Sequence, residues 1–403
     1  MTKNRKMAAK KTEKSSKLKA ETRISSKIWS ARDTTSATTI NPPIYKGSTV
    51  LFDNFEQMQQ VGRHEYEGIT YGTDRLPTQR QFEEAMRELE GGSITRIFQS
   101  GIAAIQTALL TFTKSGDHIL VCDNAYGPGQ RFCRKVLQKY NVEVTPVPAN
   151  VGADIEQYIR PNTVLILLES PGSITFEIQD IPAVTAIARQ KNILTLLDNT
   201  WATPLYLKPF ELGVDVSIHS VTKYISGYSD VLAGTVTVNE RYGQTFADFY
   251  KQMEIYTPAE ECYLALRGLH SLATRLRQHE QSALTVATWL QTLPIVDTVL
   301  HPALPSHPEH HLWRQYFTGS SGLFAFTFKK EYNDDQLAAC INSLELFHLG
   351  YSWGGYKSLL TAAKVTRSTP SRYAGKTIIR LSIGLEDCND LIDDLKNGFA
   401  VLI

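Results

Sequence analysis

An α/β fold, with a large mostly parallel mixed-sheet domain followed by a smaller α+β C-terminal domain, is what the sequence predicts, and three observations carry it. Short apolar runs at Ile119 to Cys122, Val164 to Leu168 and Ile193 to Leu197 are separated by helical patterns such as Ile181 to Lys191. That alternation marks βαβ units and strands covered on both faces. A long helical stretch, Ala259 to Leu290, with Leu264, Leu269, Leu272 and Leu276, leads into a second set of elements. These are strands near Gly322 to Phe328 and Ile378 to Ile383 and helices near Asp335 to Ile341 and Asp390 to Phe399. The third observation is length: 403 residues exceed what a single hydrophobic core usually serves. The expected organisation is an arm over 1–30, a segment over 31–75 that contacts a neighbouring subunit, a large domain over 76–270 and a C-terminal domain over 271–403.

Charge is unevenly spread. Through Lys27 there are eight Lys and two Arg against Glu13 and Glu21, so that of the net charge of +1 the arm holds +8 and the remainder −7. A mildly acidic body argues against nucleic acid as the main partner. The arm lacks the apolar core of a secretory signal and is read as disordered. No apolar run approaches the roughly 20 residues that cross a bilayer, so no membrane association is expected. Five scattered cysteines without a CxxC pair fit a reducing cytoplasm and no metal site.

After the arm, Asn41-Pro42-Pro43 and the stretch to Asn54 read as extended and turn-rich. Pro77-Thr78 opens a helix with Phe82, Met86 and Leu89 on one face, and Gly91-Gly92 ends it. The chemistry is expected around Lys223, which follows the β-like run Val214 to Ile218. A lysine at a strand end in a partly desolvated pocket can serve as an amine nucleophile toward an aldehyde, and pyridoxal 5'-phosphate (PLP) is the aldehyde most often held this way. Asp198 closes the preceding apolar strand, where ligands of open α/β sheets bind. A carboxylate there can keep a pyridine nitrogen protonated. Ser100-Gly101-Ile102 lies at a strand-to-helix turn, whose backbone N–H groups suit a phosphate, and Ser220 and Thr222 can add hydroxyl donors. Tyr126 follows another strand, where its ring can stack on a pyridine and its phenol exchange a proton.

These residues, with the runs Gln99 to Ile105, Ala125 to Cys133, Glu169 to Ser173, Leu197 to Pro204, Ser220 to Tyr228, His301 to Pro305, Gly350 to Leu359 and Ile379 to Asp387, resemble the cystathionine β-lyases. Those are Cys/Met-metabolism PLP enzymes of the PLP-dependent transferase-like fold (fold type I), and the likeness extends from about Asn41 to the C-terminus. The resemblance implies that Lys223 carries PLP as a Schiff base, that Asp198 pairs the pyridinium and that Tyr126 stacks on the ring. By the same resemblance Gly101, Ile102, Ser220 and Thr222 bind phosphate, and Arg380 holds the substrate α-carboxylate. Tyr71 reaches a neighbouring subunit's site in a homotetramer built as a dimer of dimers. Ser352 and Trp353, in Tyr351 to Gly355, stand where γ-acting relatives carry Ser-Leu, and so favour β-elimination on L-cystathionine. One departure is evident: the family's Tyr-x-Arg-x-Gly-x-Pro-Thr element has Thr73 in place of its arginine and Arg75 in place of its glycine. Either Arg75 takes over the phosphate or PLP is held less firmly. The alternatives are a γ-lyase or γ-synthase, a cysteine-type lyase, or a regulatory PLP-binding protein with little turnover.

Overall fold

Continuous burial along the strands determines where they lie. In the computed structural model, which describes Thr22 and residues 39–402, seven strands form one sheet: β1 (Ile94–Phe98), β2 (His118–Cys122), β3 (Glu143–Val147), β4 (Thr163–Glu169), β5 (Leu194–Asp198), β6 (Val216–Ser220) and β7 (Gly234–Val238). Their order is β1-β7-β6-β5-β4-β2-β3. From β6 across to β3 every pairing is parallel, and β7 runs antiparallel to both β1 and β6. Every residue of β2, β5 and β7 is buried, as strands covered on both faces must be. The arm expected over 1–30 lies outside the described residues, Thr22 apart.

Before the sheet come α1 (Phe55–Gly62) and α2 (Pro77–Glu90). Pro77 opens α2 at a position that needs no N–H donor, and Gly91, at φ 79°, closes it in the left-handed region. Phe82, Met86 and Leu89 are buried, as their spacing predicts. Helices α3 (Gly101–Phe112), α4 (Gly127–Lys135), α5 (Ile181–Gln190), α6 (Thr203–Tyr206) and α7 (Gly243–Gln252) follow the strands.

The 33-residue α8 (Ala259–Gln291) joins the two halves, and the expected boundary at 270/271 falls inside it. Its first half buries Cys262, Leu266, Leu269 and Leu272 against Phe82, Met86 and Tyr224. Its second half buries Ala283, Val286 and Leu290 against Phe324 and Phe326 of the smaller domain. That domain has a five-stranded sheet, β8 (Val296–Leu300), β9 (Leu323–Phe328), β10 (His348–Leu349), β11 (Leu359–Lys364) and β12 (Thr377–Ser382), in the order β10-β11-β12-β9-β8. Helices α9 (His310–Tyr316), α10 (Asp334–Asn342) and α11 (Cys388–Ala400) complete it. Among the described residues no helix is long and apolar enough to cross a membrane.

One carboxylate ties the smaller domain to the large one. Asp123 is 2% exposed, and its Oδ2 accepts hydrogen bonds from Ser368 N (2.6 Å), Thr369 N (2.7 Å) and Thr369 Oγ1 (2.9 Å). Trp201 adds a second tie, donating from Nε1 to the Leu323 carbonyl at 2.8 Å. Asp123→Ala leaves the Ser368 and Thr369 N–H groups without their charged acceptor. We expect it to cost about 3 kcal/mol and to lower the denaturant midpoint, with Asp123→Asn falling between the two in equilibrium unfolding.

Candidate active site

The parallel strands β4, β5 and β6 end side by side, so their last residues and the loops that follow share one edge of the sheet. There a cavity of about 220 Å³ is lined by Ser100, Gly101, Ile102, Tyr126, Glu169, Asp198, Thr200, Trp201, Ser220, Thr222, Lys223, Trp353 and Arg380, among others. The positions at which ligands bind to such sheets are thus occupied by the expected residues.

Lys223 sits in the turn after β6. That turn is held from below by Arg275 of α8, which donates to the carbonyls of Tyr224 (2.7 Å) and Ile225 (3.3 Å). The Lys223 ammonium donates to Ser352 Oγ at 2.8 Å and stands 5.4 Å from the centre of the Trp353 ring. Burial, then the Arg380 charge, lower its pKa to about 8, with Asp198 pulling the other way. Arg380, on β12, is brought in by the smaller domain. Its Nη2 donates to the Tyr351 carbonyl at 2.9 Å, and burial lowers its pKa to about 10, which leaves it charged.

Asp198 is 9% exposed. Its Oδ1 accepts from Thr200 N at 3.0 Å and from the Thr200 hydroxyl. Burial raises its pKa, and the Thr200 bonds, His219 and Lys223 oppose that rise. Tyr126 caps the start of α4 and is 45% exposed at the cavity. Burial, Glu169 and Asp198 push its phenol up, so it stays protonated.

Ser100 caps α3, accepting from Ala103 N at 3.1 Å, and Gly101 opens the helix toward the cavity. A Cβ on Gly101 would lie 2.7 Å from Ser220 Oγ, so only glycine lets the helix start approach β6 this closely. Thr222 Oγ1 accepts from Ala233 N (3.1 Å) and donates to the Ala233 carbonyl (3.2 Å), which fixes its hydroxyl beside the same opening.

Tyr71 and Arg75 are not brought to this cavity. Both precede α2 and line a separate hollow with His64, Arg80 and Lys251. Arg75, at φ 65°, is bound to the buried Glu83 at 2.8 Å, and the same carboxylate takes Arg96 at 3.6 Å. Within the chain its guanidinium pairs with a buried acid, while the phosphate it is expected to take over belongs to a neighbouring subunit's site. Tyr71 is half exposed, at 51%. Glu169, Thr200 and Trp201 were not singled out as site residues. Glu169 carries the same signal as Asp198, an acid closing an apolar strand run, and could have been found by it.

A model of the Cys/Met metabolism PLP-dependent enzyme family matches residues 26–400. The chain belongs to that family. It is 41% identical over 372 residues to cystathionine beta-lyase MetC of Escherichia coli, covering 90% of this chain and 94% of that protein. It is 38% identical over 376 residues to L-alanine/L-glutamate racemase of Wolbachia pipientis, covering 90% and 93%. The crystal structure of cystathionine gamma-lyase from Lactobacillus plantarum complexed with L-serine superposes with a TM-score of 0.85 at 30% identity, covering 95% of this chain and 99% of that one.

The family is PLP-dependent, and the residues present fit the cofactor. A destabilised amine, a carboxylate closing β5, an aromatic ring at the cavity and a glycine-opened helix start all line one cavity. We expect Lys223 in the cofactor-free protein to react with an acylating reagent with a half-maximal rate near pH 8, below an ordinary lysine. Arg380→Leu removes a repelling positive charge and should raise that midpoint. Asp198→Asn removes a favourable negative one and should lower it. Pulsed labelling followed by mass spectrometry of the Lys223 peptide measures both.

Proposed function

We propose that the protein is a carbon–sulfur β-lyase that cleaves L-cystathionine to homocysteine, pyruvate and ammonia. The observation that carries this reading is the placement of the Lys223 amine 2.8 Å from Ser352 Oγ and beside the Trp353 ring. Of these two, Trp353 is the residue at which the sequence parts from γ-acting enzymes, and here its ring lies beside the base itself. The likeness to the Escherichia coli protein named as a cystathionine beta-lyase supports the same choice.

Bound PLP supplies an electron-poor ring that takes up the charge released at the substrate Cα. The rest falls to the chain. Arg380 presents a guanidinium to the substrate α-carboxylate, a pairing that suits bidentate hydrogen bonding. Lys223, with its pKa lowered to about 8, has an accessible neutral form near neutral pH and removes the Cα proton. Ser352 Oγ orients its amine. Tyr126 retains its phenolic proton and, with the Lys223 ammonium, can deliver a proton to the departing sulfur. Ser220, Thr222 and the start of α3 at Gly101 and Ile102 hold the phosphate.

The segment before α2 exposes Ile40, Leu51, Phe55 and Met58 at 76%, 87%, 72% and 54%. Apolar side chains so concentrated on one segment favour an interface, which supports a homotetramer built as a dimer of dimers with Tyr71 turned to a neighbour's cavity. With Arg75 bound to Glu83, the Tyr71 phenol is the group this loop offers there. The five free thiols support a reducing, cytoplasmic setting.

A second reading, removal of the Cα proton without elimination, is favoured by the likeness to the Wolbachia racemase. Incubating the PLP-loaded protein with L-cystathionine should give pyruvate and homocysteine in equal amounts. Lys223→Ala should lower turnover by about a thousandfold or more. Formation of 2-oxobutyrate would place the protein with γ-acting enzymes, and racemised amino acid without keto acid would establish the second reading.

A further inference from the structure

The mechanism above leaves one cavity acid, Glu169, unused. β4 and β5 are adjacent and parallel, and Glu169 and Asp198 are register partners at their carboxyl ends. Two carboxylates placed side by side in a buried site do not both ionise readily. Their surroundings differ. Asp198 accepts from both the N–H and the hydroxyl of Thr200, and has His219 and Lys223 nearby to favour its negative form. Glu169 has no ion pair among the described residues. It meets the Tyr126 N–H through Oε2 and the Ser173 hydroxyl through Oε1, the latter at 2.6 Å.

The titratable or charged groups facing Glu169 from the packed elements are Asp198 on β5, Cys122 at the end of β2, Tyr126 before α4 and Arg367 from the smaller domain. Of these only Arg367 favours ionisation, and its Nη2 donates to the Thr175 hydroxyl. Burial first, and Asp198 second, push Glu169 well above the usual carboxyl range. The cysteine thiol, itself raised by burial, stays neutral.

We propose that Glu169 is a positioning residue that holds the proton of this carboxyl pair, leaving Asp198 as the ionised member toward the cofactor ring nitrogen, while its other oxygen fixes the Tyr126 backbone. The contacts suit a neutral acid. With the proton on Oε1, the hydrogen bond that Ser173 Oγ otherwise donates there turns round and the acid O–H donates to Ser173 Oγ, while Oε2 accepts from the Tyr126 N–H, so both oxygens are used and no second charge is added to the site. This rests on the PLP dependence of the family and is independent of which sulfur amino acid is the substrate.

The test begins with the cofactor-free protein at neutral pH. An infrared difference spectrum of wild type against Glu169→Gln should show the carbonyl stretch of a protonated carboxylic acid in the wild type alone. Because the amide keeps a neutral group of the same shape with an acceptor oxygen, PLP affinity measured by titration should remain within about twofold in Glu169→Gln. It should fall about tenfold in Glu169→Ala, which leaves the Tyr126 N–H without its acceptor. Absence of the acid band from the wild type would overturn the proposal, as would a loss of PLP affinity in Glu169→Gln equal to that in Glu169→Ala. Neither readout uses turnover, so failure of the lyase assignment would leave both intact.

Discussion

Poor hydration of one amine is the constraint on which the site depends. The Lys223 ammonium is held where burial and the Arg380 guanidinium both disfavour its charge, and its hydrogen bond to Ser352 fixes its direction without supplying a counter-charge. The carboxylate that could restore an ordinary pKa, Asp198, is bound to Thr200. An amine so placed is a better nucleophile and a better base near neutral pH than a surface lysine.

Two features of the fold maintain that environment. The parallel order of β4, β5 and β6 brings Glu169, Asp198 and Ser220 to one sheet edge, so the acids face the cavity while apolar residues fill the strands behind them. The smaller domain then closes the cavity with Arg380 and Trp353, and its position is set by α8, by the Asp123 ties and by the Trp201 bond to Leu323. The Lys223 turn rests on Arg275, which belongs to α8. The domain that delivers Arg380 and the turn that presents the amine are therefore registered on the same helix.

Much of this was legible in the residues, and what was not has physical reasons. The runs ending at Asp198 and before Lys223 announce strands with polar groups at their carboxyl ends, because a strand buried on both faces has few other places for an acid. β7 escaped that reading because Thr235 and Thr237 alternate with apolar residues and look half-exposed, yet both are fully buried, with Thr237 bonded to Thr95 at 2.7 Å. β3 was hidden by Glu143 and Pro146 at a sheet edge. Arg380 was reached only by resemblance, since an arginine in mid-strand shows nothing of the cavity it faces. Arg75 reads in sequence as a free cation in a phosphate loop, and only the fold shows that Glu83, eight residues on and buried, pairs with it.

The central claim is that Lys223, among the chain's lysines, is the one chemically joined to the cofactor. Reduction of the PLP-loaded protein with borohydride, digestion and mass spectrometry test it directly. The account predicts a single stoichiometric pyridoxyl modification on the Lys223 peptide. A modification shared among other lysines, or none at all with PLP bound, would contradict it.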